Sequence, residues 1–283
     1  MRGIIGYGTY VPYYRLDRSK ITAAMGAGGG RGHRAVAGYD EDTTTMGVEA
    51  ARNALRGSTV TPSSIWFATA NPAYLDKTNA TAIQAALDLP QDTWAVDAGG
   101  SARSAEAALL GAKGTPGISM AVVSDLRTGN PTSNDESNGG DGAAAVIFGD
   151  DQDAPVLAHT LGFAASTGEF LDRYRLPGDT SSRIWEERFG EQAYLALAED
   201  AIERATKSAN IGMEDIDKVV IAGLHARAVR GLSKIAGDKL VDDLTGRIGN
   251  PGAAQLPVLV ASVLDQAEPG ETILCVHLAD GAY

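Results

Sequence analysis

The feature that most constrains this chain is an internal repeat. A helical segment, Glu49-Ala-Ala-Arg-Asn-Ala-Leu-Arg56, passes through a short loop with Pro62 into an apolar strand, Ile65-Trp-Phe-Ala-Thr-Ala70. In the second half, Glu199-Asp-Ala-Ile-Glu-Arg-Ala-Thr206 passes through a loop from Gly212 to Asp217 into Val219-Val-Ile-Ala-Gly-Leu224. A second pair follows each first pair. Ala107 to Gly117 leads into Ile118 to Asp125, and Ala261 to Gly270 leads into Thr272 to Asp280; each reads as a helix, a Pro-Gly turn and a buried strand. Alanine-rich helices alternating with apolar strands argue for βαβ units with largely parallel pairing. Alternation alone would suit any α/β protein. Two consecutive matching pairs in the same order argue for duplication, with one half over residues 1–150 and the other over 151–283. The first half runs on to a closing strand from Ala143 to Phe148, whereas the second reaches only Asp280-Gly-Ala-Tyr283. Its last strand is therefore expected to be missing.

Three stretches break the pattern. Gly26 to His33 is glycine-rich and reads as a loop; Arg127 to Gly140 is dense in Asn, Asp, Glu and Ser; and Asp150 to about Gly190, rich in arginine and aromatics, reads as a crossing segment of turns or short helices. The 283 residues are 44% hydrophobic and 21% charged, the balance of a soluble globular protein. A net charge of −12 disfavours nucleic acid and anionic membranes as partners, so an anionic small ligand would need a local basic pocket. The single cysteine, Cys275, excludes an intrachain disulfide framework and a multi-cysteine zinc site; it lies mid-strand and reads as a core thiol. No metal site is expected. The first residues show no signal-peptide pattern and no run of about 18 apolar residues exists, so a cytoplasmic protein is the default expectation.

Several motifs are more specific than the class. Gly3-Ile-Ile-Gly-Tyr-Gly-Thr-Tyr-Val-Pro-Tyr-Tyr-Arg15, Asp40-Glu-Asp-Thr-Thr-Thr45, Gly142-Ala-Ala-Ala-Val-Ile-Phe-Gly149, Arg247-Ile-Gly-Asn250 and Ala267-Glu-Pro-Gly270 together resemble the thiolase superfamily, and within it the archaeal type of hydroxymethylglutaryl-CoA synthase. The resemblance spans nearly the whole chain. It implies an α/β fold of five layers, αβαβα, made of two similar halves, a homodimer, and a coenzyme A thioester as substrate with no permanently bound cofactor. It also implies a cysteine nucleophile at a helix N-terminus, a histidine and an asparagine beside the reacting carbonyl, and a glutamate as acid and base.

Carried over residue by residue, the histidine falls at His225, in His-Ala-Arg-Ala where the family has His-Gln-Pro-Asn, and the asparagine falls at Asn250. The segment Asp97 to Leu109 matches the nucleophile region without gaps and puts Ala102 at the cysteine position; the glutamate position falls at Ala70. A covalent acyl-enzyme at residue 102 is chemically excluded. Ser101 is the nearest hydroxyl, but it needs a base within hydrogen-bond reach. Arg173 and Arg175 in the crossing segment, with Arg227, Arg230 and Lys234 at helical spacing after His225, are candidates to bind the CoA phosphates; ordinary surface pairing with Asp172, Glu186 and Glu187 is the alternative.

The expectation is an acyl-CoA enzyme that makes or breaks a carbon–carbon bond by aldol, retro-aldol or decarboxylative chemistry, with His225 and Asn250 stabilising a thioester enolate. A non-catalytic subunit that scaffolds an active homologue, or a zinc-ribbon/OB-fold acyl-CoA-binding protein of the kind the resemblance implies as a partner, accounts for the lost nucleophile equally well. An acyltransferase using Ser101 is the third alternative.

Overall fold

The computed structural model describes residues 2–283. The first half opens with β1 (Gly3–Tyr10) and an antiparallel ribbon of β2 (Tyr14–Asp17) and β3 (His33–Val36) that encloses α1 (Ser19–Met25). It continues through α2 (Thr43–Leu55), β4 (Ser64–Thr69), α3 (Ala80–Ala86), β5 (Trp94–Gly99), α4 (Ser104–Gly114), β6 (Ser119–Asp125), α5 (Asn134–Asn138) and β7 (Gly142–Gly149). The crossing segment contributes the two-residue strands β8 (Ala158–His159), β9 (Ser166–Thr167), β10 (Arg173–Tyr174) and β11 (Arg183–Ile184). The second half follows as α6 (Glu187–Ala209), β12 (Lys218–Gly223), α7 (Ala226–Ala236), α8 (Thr245–Ile248), α9 (Gln255–Leu264), β13 (Ile273–Leu278) and β14 (Gly281–Ala282).

Two sheets result, ordered β5-β4-β6-β7-β1-β8 and β12-β13-β14-β9. β4 pairs in parallel with β5 and β6, and β12 in parallel with β13; β6–β7, β7–β1, β13–β14 and β14–β9 are antiparallel. The run β4-β6-β7-β1 thus has the same order and directions as β12-β13-β14-β9. Where the first half has β5, the second has only a parallel bridge between Leu240 and Val219. The closing strand of the second half, expected from the sequence to be missing, is present as the two-residue β14. In the crossing segment, short strands replace the expected helices until Glu187, where a helix of 23 residues begins.

Packing explains the layers. β6 and β7 are buried along their full length, so both faces of the first sheet need covering. α2 covers one face: Met46, Ala50 and Ala54, spaced for one helical stripe, pack with Phe67, Val122 and Ile147. Its N-terminus is closed by a capping box between Asp42 and Thr45. Gly8 lets α2 sit directly on β1, since a Cβ there would lie 2.2 Å from the Ala54 amide nitrogen. α4 and α9 cover the other face through Ala105, Ala108 and Val258. The far side of α9, with Leu256, Leu259 and Val263, meets Val220 and Ala222 of the second sheet. α6 and α7 close the outside through Ala198, Ala201, Ala228 and Leu232. The result is a five-layered αβαβα arrangement. Cys275 packs at the α9 side of the second sheet, where burial pushes its thiol up to about 12. No helix among the described residues is long and apolar enough to cross a membrane.

The stretch from 127 to 141 is tied down by buried charge. Arg34 on β3 donates to the carbonyls of Arg127, Asp135 and Glu136 and pairs with Asp141 at 3.6 Å. Asp141 also accepts the backbone N–H groups of Ala37 and Arg127. This lattice places α5 under the crossing segment. Arg34→Met leaves three carbonyls and a buried carboxylate without that donor, and should lower unfolding free energy by about 3–5 kcal/mol in urea denaturation; a loss below about 1 kcal/mol would show that the lattice contributes little.

Candidate active site

β12 delivers the chain to the N-terminus of α7, and His225 caps that helix. Its Nδ1 accepts the Ala228 amide N–H at 3.1 Å. With Nδ1 used as an acceptor, a neutral imidazole must carry its proton on Nε2. The ring is buried, at 7% exposure, and packs against the Tyr194 ring with centroids 5.5 Å apart. Nε2 has no protein partner, and neither has Oδ1 of Asp172, which faces it at 3.9 Å. Beside the two groups is a cavity of about 20 Å³, lined among others by Asn134, Arg173, Ile184 and Arg227. Gly190 of α6 lies against both groups; a Cβ there would lie 2.7 Å from Nε2 and 2.9 Å from Oδ1.

Asn250 adjoins the same strand end but does not line the cavity. Its side-chain amide donates to the Gly223 carbonyl at 2.8 Å, two residues before His225, and its side-chain oxygen accepts the Gly252 N–H at 2.9 Å. Its backbone bonds to Asn138 and Gly140 of the first half. Asn250 therefore ties the end of β12 to the other half, with one amide N–H left over.

The approach to α4 is linked to this region by contacts. Ser101 and Ala102 lie in the turn before the helix, whose first residue is Ser104, so the helix starts two residues later than the nucleophile position. The Ser101 hydroxyl has no hydrogen-bond partner among the described residues, and so no base to activate it. Arg103 donates to the Asp280 carbonyl at 2.8 Å and lies over the Tyr283 ring. Asp280, in the left-handed turn between β13 and β14, donates its N–H to the Tyr194 hydroxyl. Burial, and then the Asp172 carboxylate beside it, push the Tyr194 hydroxyl well above its usual range, so it stays protonated. In the first turn of α4, Glu106 hydrogen-bonds Nδ1 of His277 on β13, both side chains buried. Ala70 offers only its carbonyl, which accepts from Arg175 at 2.7 Å.

The arginines do not form one cationic lip. Arg173 is held by Asp135 at 2.7 Å, and Arg175 is spent on Ala70. Arg227, Arg230 and Lys234 instead line an open groove of about 310 Å³ with Gly231 and Glu191. Arg227 pairs with Glu187 at 3.0 Å; Arg230 and Lys234 make no ion pair among the described residues. Because Arg227 also lines the small cavity, the groove and the His225 site adjoin. Asp172, Tyr194 and Gly190 carry no motif that would single them out; the only hint is a glycine near the start of a long helix. Among the described residues no group of His, Cys, Asp and Glu could hold a metal ion.

No family model matches the chain. It is, however, 33% identical over 293 aligned residues to the hydroxymethylglutaryl-CoA synthase of Pyrococcus furiosus, covering 99% of this chain and 83% of that enzyme. The enzyme of Thermococcus onnurineus is 31% identical over the same shares. The chain belongs to the hydroxymethylglutaryl-CoA synthase family. A solved hydroxymethylglutaryl-CoA synthase complexed with CoA has the same fold, with a TM-score of 0.84 at 18% identity over 99% of this chain and 80% of that one. The 3-oxoacyl-(acyl carrier protein) synthase III of Pseudomonas aeruginosa PAO1 follows at 0.83 and 20%, covering 99% and 95%. Residues 102 and 70 of this chain, where the resemblance puts the nucleophile and the acid, are both alanine.

The Glu106–His277 pair joins the two halves beneath the start of α4. Glu106→Leu strands a buried imidazole and should cost about 3–5 kcal/mol, while Glu106→Leu with His277→Leu should regain most of that loss. Additive losses in a denaturation cycle would show that the two side chains are not coupled.

Proposed function

We propose that this chain binds an acyl-CoA thioester and makes or breaks the carbon–carbon bond next to its carbonyl without a covalent acyl-enzyme. The observation that carries the reading is the buried Nε2 of His225, an N–H donor with no protein partner beside a cavity. Breaking or forming a bond at Cα leaves negative charge on the thioester oxygen. A preorientated donor in a dry site stabilises that charge more than the neutral carbonyl, which lowers the barrier. No nucleophile is needed, in keeping with alanine at residue 102. Retro-aldol and decarboxylative reactions both pass through this enolate.

Asn250 supports the site by holding the Gly223 carbonyl and so the strand end that aims His225. The groove of Arg227, Arg230 and Lys234 would take the CoA phosphates. A cavity of about 20 Å³ admits a single oxygen atom and not an acyl arm. Binding on this reading displaces lining residues such as Ile184 and Glu187. The Ser101 acyltransferase alternative lacks a base. The free edge of β5, with Trp94 half exposed, is the surface through which a homodimer would extend the first sheet.

His225→Ala should lower turnover of an accepted acyl-CoA by about 10²–10³-fold. The variant should keep the rise in melting temperature that acyl-CoA binding confers by mass action. Unchanged turnover would contradict the reading. A wild-type protein that neither binds nor turns over any acyl-CoA, and that co-purifies with a zinc-ribbon/OB-fold chain, would favour the scaffolding role instead.

A further inference from the structure

Asp172 is a carboxylate in an irregular, arginine-rich segment, where pairing at the surface would be the ordinary expectation. The structure buries it instead, at 5% exposure, with Oδ1 unpartnered. Its sequence neighbour Arg173 does not neutralise it, because that guanidinium is bound to Asp135. A buried unpartnered carboxylate oxygen facing a buried unpartnered imidazole nitrogen costs stability on both sides unless something sits between them. The separation of 3.9 Å is too long for a direct hydrogen bond, so each atom keeps its bonding capacity for a ligand oxygen of its own. Gly190 keeps that gap open, since any side chain there would enter it.

The geometry points to Asp172 as the proton-transfer group of this site, with a β-hydroxyacyl thioester as the substrate class; the assignment rests on the acyl-CoA reading above. In such a thioester the carbonyl oxygen and the β-hydroxyl are in a 1,3 relation. One can meet Nε2–H of His225 while the other meets Oδ1 of Asp172. Asp172 takes the hydroxyl proton and the hydroxyl oxygen's electron pair becomes the second bond of a new carbonyl. The Cα–Cβ bond breaks, and its pair enters the thioester enolate, whose oxygen is held by Nε2–H. The aldehyde or ketone departs, and Asp172 returns its proton to Cα to give the shorter acyl thioester. Nothing else is consumed. His225 cannot itself be the base, because its only free nitrogen already carries a proton.

The return step run backwards is exchange of Cα protons, which can be followed without knowing the β-substituent. Proton NMR in D₂O with acetyl-CoA and longer straight-chain acyl-CoAs should show enzyme-dependent loss of the Cα signal. Asp172→Asn should slow this exchange by about 10²–10⁴-fold, while the acyl-CoA-induced rise in melting temperature is retained. Gly190→Ala, a substitution that favours the helix, should fill the gap and abolish exchange by a second route. Exchange at the wild-type rate in Asp172→Asn would overturn the role of Asp172 alone. A wild-type protein that is stabilised by acyl-CoAs but exchanges no Cα proton would also overturn it. A wild-type protein that neither exchanges nor is stabilised would overturn the acyl-CoA reading together with this one.

Discussion

The site depends on the hydrogen bond from the Ala228 amide to Nδ1 of His225. It serves two ends at once. As a helix cap it satisfies one of the otherwise orphaned amides at the start of α7. As a constraint on the imidazole it removes Nδ1 from the chemistry and leaves Nε2 as a donor. The donor's direction is then set by Tyr194 on one side and by the end of β12 on the other, which Asn250 anchors to the first half. A ring that would otherwise rotate freely becomes a buried dipole of fixed sense.

The two halves make different contributions to this arrangement. The second supplies His225, Tyr194 and Asn250, whereas the first supplies mostly support. The Arg34 lattice holds α5 beneath the crossing segment, and Glu106 joins α4 to β13. Residues 101–103 come near the site only through Arg103 and the Asp280 turn. Buried polar atoms without partners occur on both sides of the interface, Oδ1 of Asp172 with Nε2 of His225 on one and Oε2 of Glu106 with Nε2 of His277 on the other.

Much of the fold is legible in the sequence because the repeat repeats the same periodicities. The strands Ile65 to Ala70 and Val219 to Leu224, each preceded by an alanine-rich helix, stand at matching places in the two sheets. The crossing segment is not legible in the same way. Its strands have two residues each and exist only where distant backbone offers a partner, which no local pattern encodes. Nor does any pattern show that the counterpart of β5 has shrunk to a bridge at Leu240. In the site, the helical spacing of Arg227, Arg230 and Lys234 correctly groups them on one surface, because i, i+3 and i+7 share a face. Arg173 and Arg175 look equivalent to them in sequence, but the first, on β10, reaches Asp135 and the second, just past that strand, reaches Ala70. Asp172 is hidden for the same reason: its burial comes from the fold of the segment around it.

The most direct measurement of the central claim is the tautomer of His225, read by nitrogen-15 NMR of the imidazole ring, with the signals assigned by their loss in His225→Gln. At about pH 8, above the range in which an ordinary imidazole is charged, the account predicts an unprotonated, hydrogen-bond-accepting Nδ1 and a protonated Nε2. A proton on Nδ1, or rapid averaging between the two nitrogens, would mean that the cap does not hold the ring, and the assignment of His225 as a fixed donor would fail.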